Sequence, residues 1–152
     1  MRIGVLSDTH GLLRPEVLTA LTGVAHILHA GDVGTPQIIA SLATIAPVTA
    51  IRGNVDTQGP CALLPPTEAI QLAGHLIYLI HSLTDLDITP QAAGISLVIS
   101  GHTHQPALTQ KNGVHYLNPG SAGPRRFSLP VTLAILTLTP GEPPAIHLQN
   151  LL

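Results

Sequence analysis

The stretch Arg2-Ile3-Gly4-Val5-Leu6-Ser7-Asp8-Thr9-His10 is an apolar run that ends in residues able to bind metal ions. The same arrangement occurs four more times, at Gly31-Asp32, Gly53-Asn54, His81 and Gly101-His102-Thr103-His104. Each of these pieces follows an apolar segment with the length of a buried strand. Open α/β folds bind ligands at the carboxyl ends of their strands. The repetition therefore predicts an α/β fold with a divalent-metal site at one edge of a sheet.

The first half of the chain alternates strand and helix patterns. Strands are expected at residues 2–7, 26–30 and 48–51, and helices at residues 15–21 and 36–42. Pro15 and Pro36 suit the first position of these helices. A strand-helix-strand alternation of this kind favours parallel pairing of the strands.

The second half is rich in hairpin signals. Ala73-Gly74 separates predicted strands at residues 68–72 and 75–80, and Asn112-Gly113 separates strands at residues 107–111 and 114–118. Further strands are expected at 97–100, 131–138 and 145–149, with one short helix at 90–93. Strands outnumber helices and have two styles, which indicates two packed sheets with a few helices outside. Residues 1–152 are interpreted as a single domain.

The composition of the chain argues against nucleic-acid and membrane partners. The 152 residues carry a formal net charge of −2, only 9% are charged and 2% are aromatic, so neither a basic nucleic-acid footprint nor a base-stacking platform is present. No apolar run reaches the ~18 residues of a membrane helix. A single cysteine, Cys61, fits a reducing compartment. We expect a cytoplasmic protein without membrane or nucleic-acid partners, and a homodimer is compatible with the high apolar fraction.

Each polar residue has an ordinary structural explanation when it is taken alone. Asp8 and His10 could be a turn residue and a surface histidine, Asp32 could cap the helix near residue 36, and Asn54 after glycine is typical of a turn. His81 could be a buried, hydrogen-bonded histidine. The metal interpretation uses the same side chains, since carboxylate, amide and imidazole groups are ligands of divalent transition metals.

The segment Gly101-His102-Thr103-His104 is the most specific piece, because two imidazoles around one threonine are difficult to explain by packing. Seven donors from five strand ends suffice for two metals that share one bridging carboxylate. Two metals about 3.5–4 Å apart can clamp a phosphoryl group and lower the pKa of bound water. A bridging hydroxide would then be the nucleophile, without a serine or cysteine.

The ordered set of D-x-H, G-D, G-N, a lone histidine and G-H-T-H resembles the calcineurin-like metallophosphoesterases. Within this family the chain is similar to the small single-domain bacterial and archaeal phosphodiesterases, to which the scaffold subunit of the retromer complex is related. The resemblance runs from Met1 to about Arg126 and includes Asn118-Pro119-Gly120-Ser121 as a structural turn. It implies a four-layer α/β/β/α sandwich of two mixed sheets flanked by helices.

The resemblance also implies a ligand set for two divalent metal ions per chain. Asp8, His10 and His104 would bind one metal, Asn54, His81 and His102 would bind the other, and Asp32 would bridge them. Manganese is the first expectation, with iron, nickel or zinc as alternatives. Asp32, Asn54 and His102 are assigned as catalytic residues on the same basis.

Two positions depart from the family pattern. Many members have a histidine after Gly-Asn that helps protonate the leaving group, and this chain has Val55 there, as the small subgroup does. Ser82-Leu83 replaces the usual Gly-His after His81. Asp56 could serve as an acid or support a ligand, with support preferred. His29 could support the site or be a buried structural residue, and Arg125 and Arg126 could bind phosphate or be solvated.

These observations predict a metal-dependent phosphodiesterase or phosphatase that hydrolyses a small phosphate ester. The alternative is a catalytically weak metal-binding scaffold or interaction module of the same fold. A mononuclear hydrolase of another ester is a third interpretation, which requires that Asp32 does not bridge.

Overall fold

The computed structural model describes all residues from 1 to 152 and contains ten strands in two five-stranded sheets. In chain order the elements are β1 (Arg2–Leu6), α1 (Pro15–Ala20), β2 (His26–His29), α2 (Pro36–Ala43), β3 (Val48–Ala50), β4 (Thr67–Leu72), β5 (His75–Ile80), β6 (Leu97–Ile99), β7 (Ala107–Lys111), β8 (Val114–Asn118), β9 (Thr132–Thr137) and β10 (Ala145–Asn150). The first sheet has the strand order β10-β9-β1-β2-β3, and the second has the order β4-β5-β6-β8-β7.

Parallel strands occupy the middle of both sheets. The parallel pairing of β1, β2 and β3 follows the prediction. β5, β6 and β8 are also parallel to one another, which the hairpin-rich pattern of the second half did not indicate. The expected hairpins are present as β4-β5, β7-β8 and β9-β10. The last hairpin returns to the first sheet, where β9 pairs antiparallel with β1.

The two sheets pack face to face through a cluster of 13 buried apolar residues. Alternation along β5 shows how the sequence selects this face, since Ile77 and Leu79 are buried there while Leu76 and Tyr78 point the other way. A second cluster of 13 residues lies between the first sheet and the two helices, with Val17 from α1 and Leu42 from α2. Each fully buried side chain of this size stabilises the fold by about 1.5–3 kcal/mol.

The layer outside the second sheet is thin. It consists of a 3₁₀ segment at Leu83–Asp85 and a hydrogen-bonded turn over residues 89–95. The short helix expected at 90–93 is this turn, because Gly94 adopts a left-handed φ of 76° and stops the chain after one turn. A further 3₁₀ segment, Pro60–Leu63, was not predicted. The α/β/β/α order is therefore confirmed, with few helices around the two mixed sheets. None of the helices has the length and hydropathy needed to cross a lipid bilayer.

Candidate metal centre

The loops that follow β1, β2, β3, β5 and β6 bring seven polar side chains together at one edge of the two sheets. Two groups of potential ligand atoms form there, each with all atoms within 4.8 Å of one another. The first group is Asp8, His10 and His104, and the second is Asp32, His81 and His102. The Asn54 carbonyl oxygen lies 3.1 Å from a ring nitrogen of both His81 and His102, so it belongs beside the second group.

Asp8 is fully buried, and its two oxygens have different environments. Oδ2 accepts hydrogen bonds from the Ser7 hydroxyl at 2.7 Å and from the His102 backbone N–H at 3.1 Å. Oδ1 has no hydrogen-bond partner and lies 3.3 Å from His104 Nε2 and 3.7 Å from His10 Nε2. A buried carboxylate oxygen without a partner is costly unless a proton or cation neutralises it. The arrangement therefore directs one lone-pair-bearing oxygen into the first group.

Asp32 lies between the two groups through a single oxygen. Oδ2 is 3.5 Å from His10 Nε2 and 3.2 Å from His81 Nε2, whereas Oδ1 accepts the Val55 backbone N–H at 3.0 Å. Burial acts to raise the pKa of Asp32, but the hydrogen bonds from His81 and Val55 outweigh it and lower the pKa to about 2. The side chain is thus ionised at neutral pH. A single oxygen of Asp32 therefore faces both groups, while the other is held by the backbone.

His81 is oriented by a hydrogen bond on the far side of its ring. Its Nδ1 lies 2.7 Å from the Ala30 carbonyl, an acceptor, so this nitrogen carries the proton and Nε2 faces the centre. Burial acts to lower the pKa of His81, but the neighbouring Asp32 carboxylate raises it above its usual value. In the protonated ring Nε2–H donates to Asp32, and in the neutral ring the Nε2 lone pair points at the oxygens of Asp32 and Asn54. Protons and cations would therefore compete for the same position.

Backbone strain is concentrated at this centre. Eight non-glycine residues have positive φ, and five of them carry potential ligands: Asp8 (58°), His10 (47°), Asp32 (55°), His102 (72°) and His104 (63°). The left-handed conformation costs about 1–2 kcal/mol per residue for L-amino acids. Such strain persists only where the surroundings impose it, and it gathers at functional sites. The loops therefore hold these side chains in position at a cost in local backbone stability.

A pair of substitutions at the exposed residue His102 measures this strain. Both His102→Gly and His102→Ala remove the imidazole, but only glycine adopts a φ of 72° without a steric penalty. We expect the glycine variant to be more stable by about 1 kcal/mol in chelator-treated protein, measured by urea denaturation. An alanine variant of equal or greater stability would show that this backbone is not strained.

Two glycines leave room that no other residue would. A Cβ at Gly53 would lie against the backbone and carboxylate of Asp32, and a Cβ at Gly101 would contact the Ser7 hydroxyl and Asp8 Oδ2. These close approaches explain why glycine precedes Asn54 and His102. The approach at Gly53 joins two loops of the first sheet, and the approach at Gly101 joins a loop of the second sheet to the loop after β1.

His29 is completely buried behind the centre, where it links two of the loops. Its Nδ1 accepts the Gly31 N–H at 3.1 Å, so the proton resides on Nε2, which lies 2.9 Å from Thr9 Oγ1. The Thr9 hydroxyl in turn donates to the Val33 carbonyl at 2.9 Å. Burial lowers the pKa of His29 to about 4, so the ring is neutral at pH 7. His29 is therefore a buried residue that connects the loops after β1 and β2, which carry candidate ligands.

The lowered pKa of His29 predicts a pH-dependent stability. Between its unfolded pKa of 6.5 and its folded pKa of about 4, the unfolded chain binds a proton that the folded chain does not, so stability is lost as pH falls through this window. This term amounts to about 2 kcal/mol between pH 7.5 and pH 5. We expect His29→Asn to reduce the pH dependence of urea unfolding by this amount. An unchanged pH dependence would contradict the assigned neutral, buried ring.

Asp56 holds two loops by accepting three backbone hydrogen bonds. Its carboxylate oxygens accept the N–H groups of Val33 at 3.1 Å, Gly34 at 3.0 Å and Gly53 at 2.9 Å. All of these partners belong to the loops after β2 and β3. The carboxylate is buried and directed at backbone amides, which places it in a supporting position.

The two arginines of the loop after β8 differ in their contacts. Arg125 donates from Nε to the Leu129 carbonyl at 3.2 Å within the same loop. Arg126 is exposed and lies near His104: burial is the main cause that lowers the pKa of His104, and the Arg126 charge lowers it further. The charge of Arg126 therefore acts on His104 of the first group, whereas Arg125 stabilises its own loop.

Three supporting residues were not assigned to the site from the sequence. Ser7 and Ser121 bond the Asp8 carboxylate and the Asp8 carbonyl, and Asn118 donates to the Gly101 carbonyl and the Thr103 hydroxyl, both at 3.0 Å. The only sequence signal was the turn Asn118-Pro119-Gly120-Ser121, whose partners lie more than a dozen residues away. The hydrogen bonds of Asn118 and Ser121 depend on the meeting of distant loops, whereas Ser7 acts on the residue next to it.

Comparison with known proteins assigns the family. Residues 1–141 match the calcineurin-like phosphoesterase superfamily domain, and the chain belongs to this family. It is 35% identical over 147 residues to a probable metallophosphoesterase of Methanothermobacter thermautotrophicus, covering 89% of this chain and 85% of the relative. The motif-based resemblance is thus confirmed.

Solved structures share the fold at lower identity. A novel archaeal phosphodiesterase superposes with a TM-score of 0.79 at 22% identity, covering 98% of this chain and 100% of that chain. Vps29 from Entamoeba histolytica in complex with zinc superposes with a TM-score of 0.76 at 21% identity, covering 99% of both chains. These structures share the fold of the chain, which as a member of the phosphoesterase family has a fold that binds divalent metals and carries two groups of candidate ligands.

Proposed function

We propose that this protein is a phosphodiesterase that depends on two divalent metal ions. The observation that carries the proposal is the position of Asp32 Oδ2 between two groups of ligand atoms, 3.5 Å from His10 Nε2 and 3.2 Å from His81 Nε2. Asp8, His10 and His104 would hold one ion, and Asn54, His81 and His102 would hold the other. Asp32 would bridge them, as a carboxylate oxygen can.

The chemistry of the donor set fits such ions. The buried atoms Asp8 Oδ1 and His10 Nε2 have no hydrogen-bond partner, and both face the space between the donors. Carboxylate, amide and imidazole groups suit manganese, which is our first choice, and also iron, nickel or zinc. When bound, paired divalent ions neutralise charge on phosphoryl oxygens and make water a stronger nucleophile.

The residues of the chain itself determine which esters react. Hydrolysis joins a water oxygen to phosphorus and breaks the bond to one ester oxygen, which leaves as an anion or takes a proton. Val55 is 43% exposed at the position where many relatives have a histidine, and it cannot donate a proton. Asp56 is bonded to three amides. We therefore expect preference for esters with acidic leaving groups, because an alkoxide would require protonation.

The direct test is turnover of bis(p-nitrophenyl) phosphate by chelator-stripped protein supplied with manganese, iron, nickel or zinc. We expect activity to return with manganese and to be absent in chelator. Protein that binds none of these metals and turns over no phosphodiester would overturn the proposal.

The alternative role is a scaffold or interaction module of the same fold. The observation that favours it is the similarity to Vps29, vacuolar protein sorting 29. A scaffold does not require an intact donor set, whereas all seven positions here carry competent ligands. The same turnover assay separates the two roles, since a scaffold would bind metal without hydrolysing any ester.

A further inference from the structure

Two grooves meet at His102, on the outer face of the second sheet. The polar groove, bounded by Arg52, Thr67, Tyr78, Asp85 and Asp87, has a cavity volume of about 670 Å³ and reaches Asn54, His81 and His102. The apolar groove, bounded by Leu83, Ala107, Thr109, Tyr116 and Leu117, has a volume of about 480 Å³ and also reaches His102. Volumes of about 300–1,000 Å³ accommodate small organic ligands.

The two grooves exist because the layer outside the second sheet is thin. Only the 3₁₀ segment Leu83–Asp85 crosses the sheet beside the centre. Ser82 and Thr84 line both grooves, and their hydroxyls lie 2.9 Å apart. This segment is therefore a wall with one groove on each side. A phosphorus atom held near His102 would direct one substituent to each side of the wall.

The polar groove suits a substituent rich in hydroxyl groups. Its charged side chains are two carboxylates, Asp85 and Asp87, and one guanidinium, Arg52, which gives a formal charge of −1 and disfavours an anionic group. Arg52 is turned toward the Ala62 and Leu64 carbonyls, both at 3.3 Å. Carboxylates accept hydrogen bonds, and the hydroxyls of Thr67 and Tyr78 both donate and accept. Ligand hydroxyls complement both kinds of group.

The apolar groove suits a hydrocarbon or aromatic substituent. Its floor is formed by β8, where Tyr116 is half-buried on the outer face while the Leu117 side chain packs between the two sheets. Its side is formed by β7, where Ala107 and Thr109 are exposed, and Thr103, Gln105 and Asn118 add polar atoms at its edge. No side chain with a formal charge lines it. Transfer of an apolar group into such a groove is favourable by about 25 cal/mol per Å² of buried surface.

We propose that the substrate is an asymmetric phosphodiester, with a neutral polyhydroxyl group such as glycerol or a sugar on one side and an apolar aromatic group, which leaves as the aryloxide, on the other. This inference rests on the proposed function, because it places the phosphoryl group at the metal centre. It goes beyond that function by predicting that each groove binds a different one of the two ester groups.

The test uses p-nitrophenyl phosphodiesters that differ only in the second ester group: 2,3-dihydroxypropyl, propyl or 2-aminoethyl. The 2-hydroxyl of the dihydroxypropyl ester can itself attack phosphorus and expel p-nitrophenolate, so turnover is measured as the enzyme-dependent formation of the acyclic phosphate monoester. With manganese supplied, we expect kcat/KM to be roughly tenfold higher for the dihydroxypropyl ester than for the propyl ester, the effect of one or two net hydrogen bonds. Equal values for these two esters, or a preference for the aminoethyl ester, would overturn the inference. Failure of all three esters to react would overturn the proposed function instead.

Variants assign each group to its groove. Thr67→Val and Asp87→Leu should reduce the preference for dihydroxypropyl about threefold or more. Ala107→Glu should lower kcat/KM for the dihydroxypropyl and propyl esters alike, since both carry the aryl group. Ala145→Glu on β10, outside both grooves, is the charge-matched control and should change neither value. Groove variants that behave like this control would contradict the assignment.

Binding without turnover provides an independent measurement. Phosphinates in which carbon replaces both ester oxygens cannot be hydrolysed, so their calorimetric Kd reports recognition alone. We expect benzyl(3,4-dihydroxybutyl)phosphinate to bind more tightly than benzyl(butyl)phosphinate, and Thr67→Val to reduce the difference. Equal affinities would contradict recognition by the polar groove even if diesters are hydrolysed.

Discussion

We expect Asp32→Asn to lower kcat for bis(p-nitrophenyl) phosphate by roughly 10³-fold, equivalent to about 4 kcal/mol of transition-state stabilisation. The change is nearly isosteric and retains the oxygen that accepts the Val55 N–H at 3.0 Å. It replaces Oδ2, the atom that lies between the two ligand groups, by an amide nitrogen without a lone pair for a cation. The loss should therefore come from the centre itself and not from unfolding.

The control for Asp32→Asn is Glu142→Gln, which removes one carboxylate from an exposed turn between β9 and β10. It should retain the parental kcat. Manganese titration by calorimetry should show that Asp32→Asn binds fewer ions or binds them more weakly. An Asp32→Asn protein with activity within threefold of the parent would show that Asp32 does not bridge.

Gly101→Ala should reduce stability and activity together. Gly101 is buried, and an added Cβ would be forced against the Ser7 hydroxyl and Asp8 Oδ2. Overpacking of this kind costs about 1–3 kcal/mol of stability. Because it displaces Asp8 and the adjacent His102, we expect kcat/KM to fall by roughly 10²-fold, as misplacement by about 1 Å can produce. Urea denaturation and steady-state kinetics measure the two effects.

Gly141→Ala separates backbone strain from displacement of the centre. Gly141 has a φ of 78° but no atom within 4 Å of the position of an added Cβ, and it lies in the turn between β9 and β10. We expect a loss of about 1 kcal/mol in stability with unchanged kcat/KM. If both glycine variants lowered activity equally, a general loss of stability would explain the result for Gly101.

Local signals were sufficient to predict most elements of this fold. The dipeptides Ala73-Gly74 and Asn112-Gly113 adopt positive φ at both positions, as the two-residue hairpin turns they predict require. By contrast, the parallel pairing of β6 with β5 and β8, and the return of β9 to β1, join segments that are distant in sequence. The pattern of apolar residues within one strand does not predict which other strand will pair with it. The 3₁₀ segment Leu83–Asp85 is too short for any period to be detected.

The candidate site shows the same division. Its seven candidate donors could be selected because they follow apolar runs and, except for His81, lie in short motifs with a glycine or a second donor. The roles of their supporting atoms could not, since the Ser7 hydroxyl and the Val55 amide act on carboxylates only after folding. The left-handed φ of Asp8 and Asp32 contradicts local preference, and local rules are expected to fail where side chains are aimed by strain.

Metal stoichiometry is the most direct test of the central claim. The protein should be purified without chelator, dialysed against manganese, and analysed by elemental mass spectrometry beside Asp32→Asn and the Glu142→Gln control. We predict about two manganese ions per chain for the parent and the control, and fewer for Asp32→Asn. One ion per chain in the parent, unchanged by Asp32→Asn, would contradict a bridged pair of metals at this edge of the sheets.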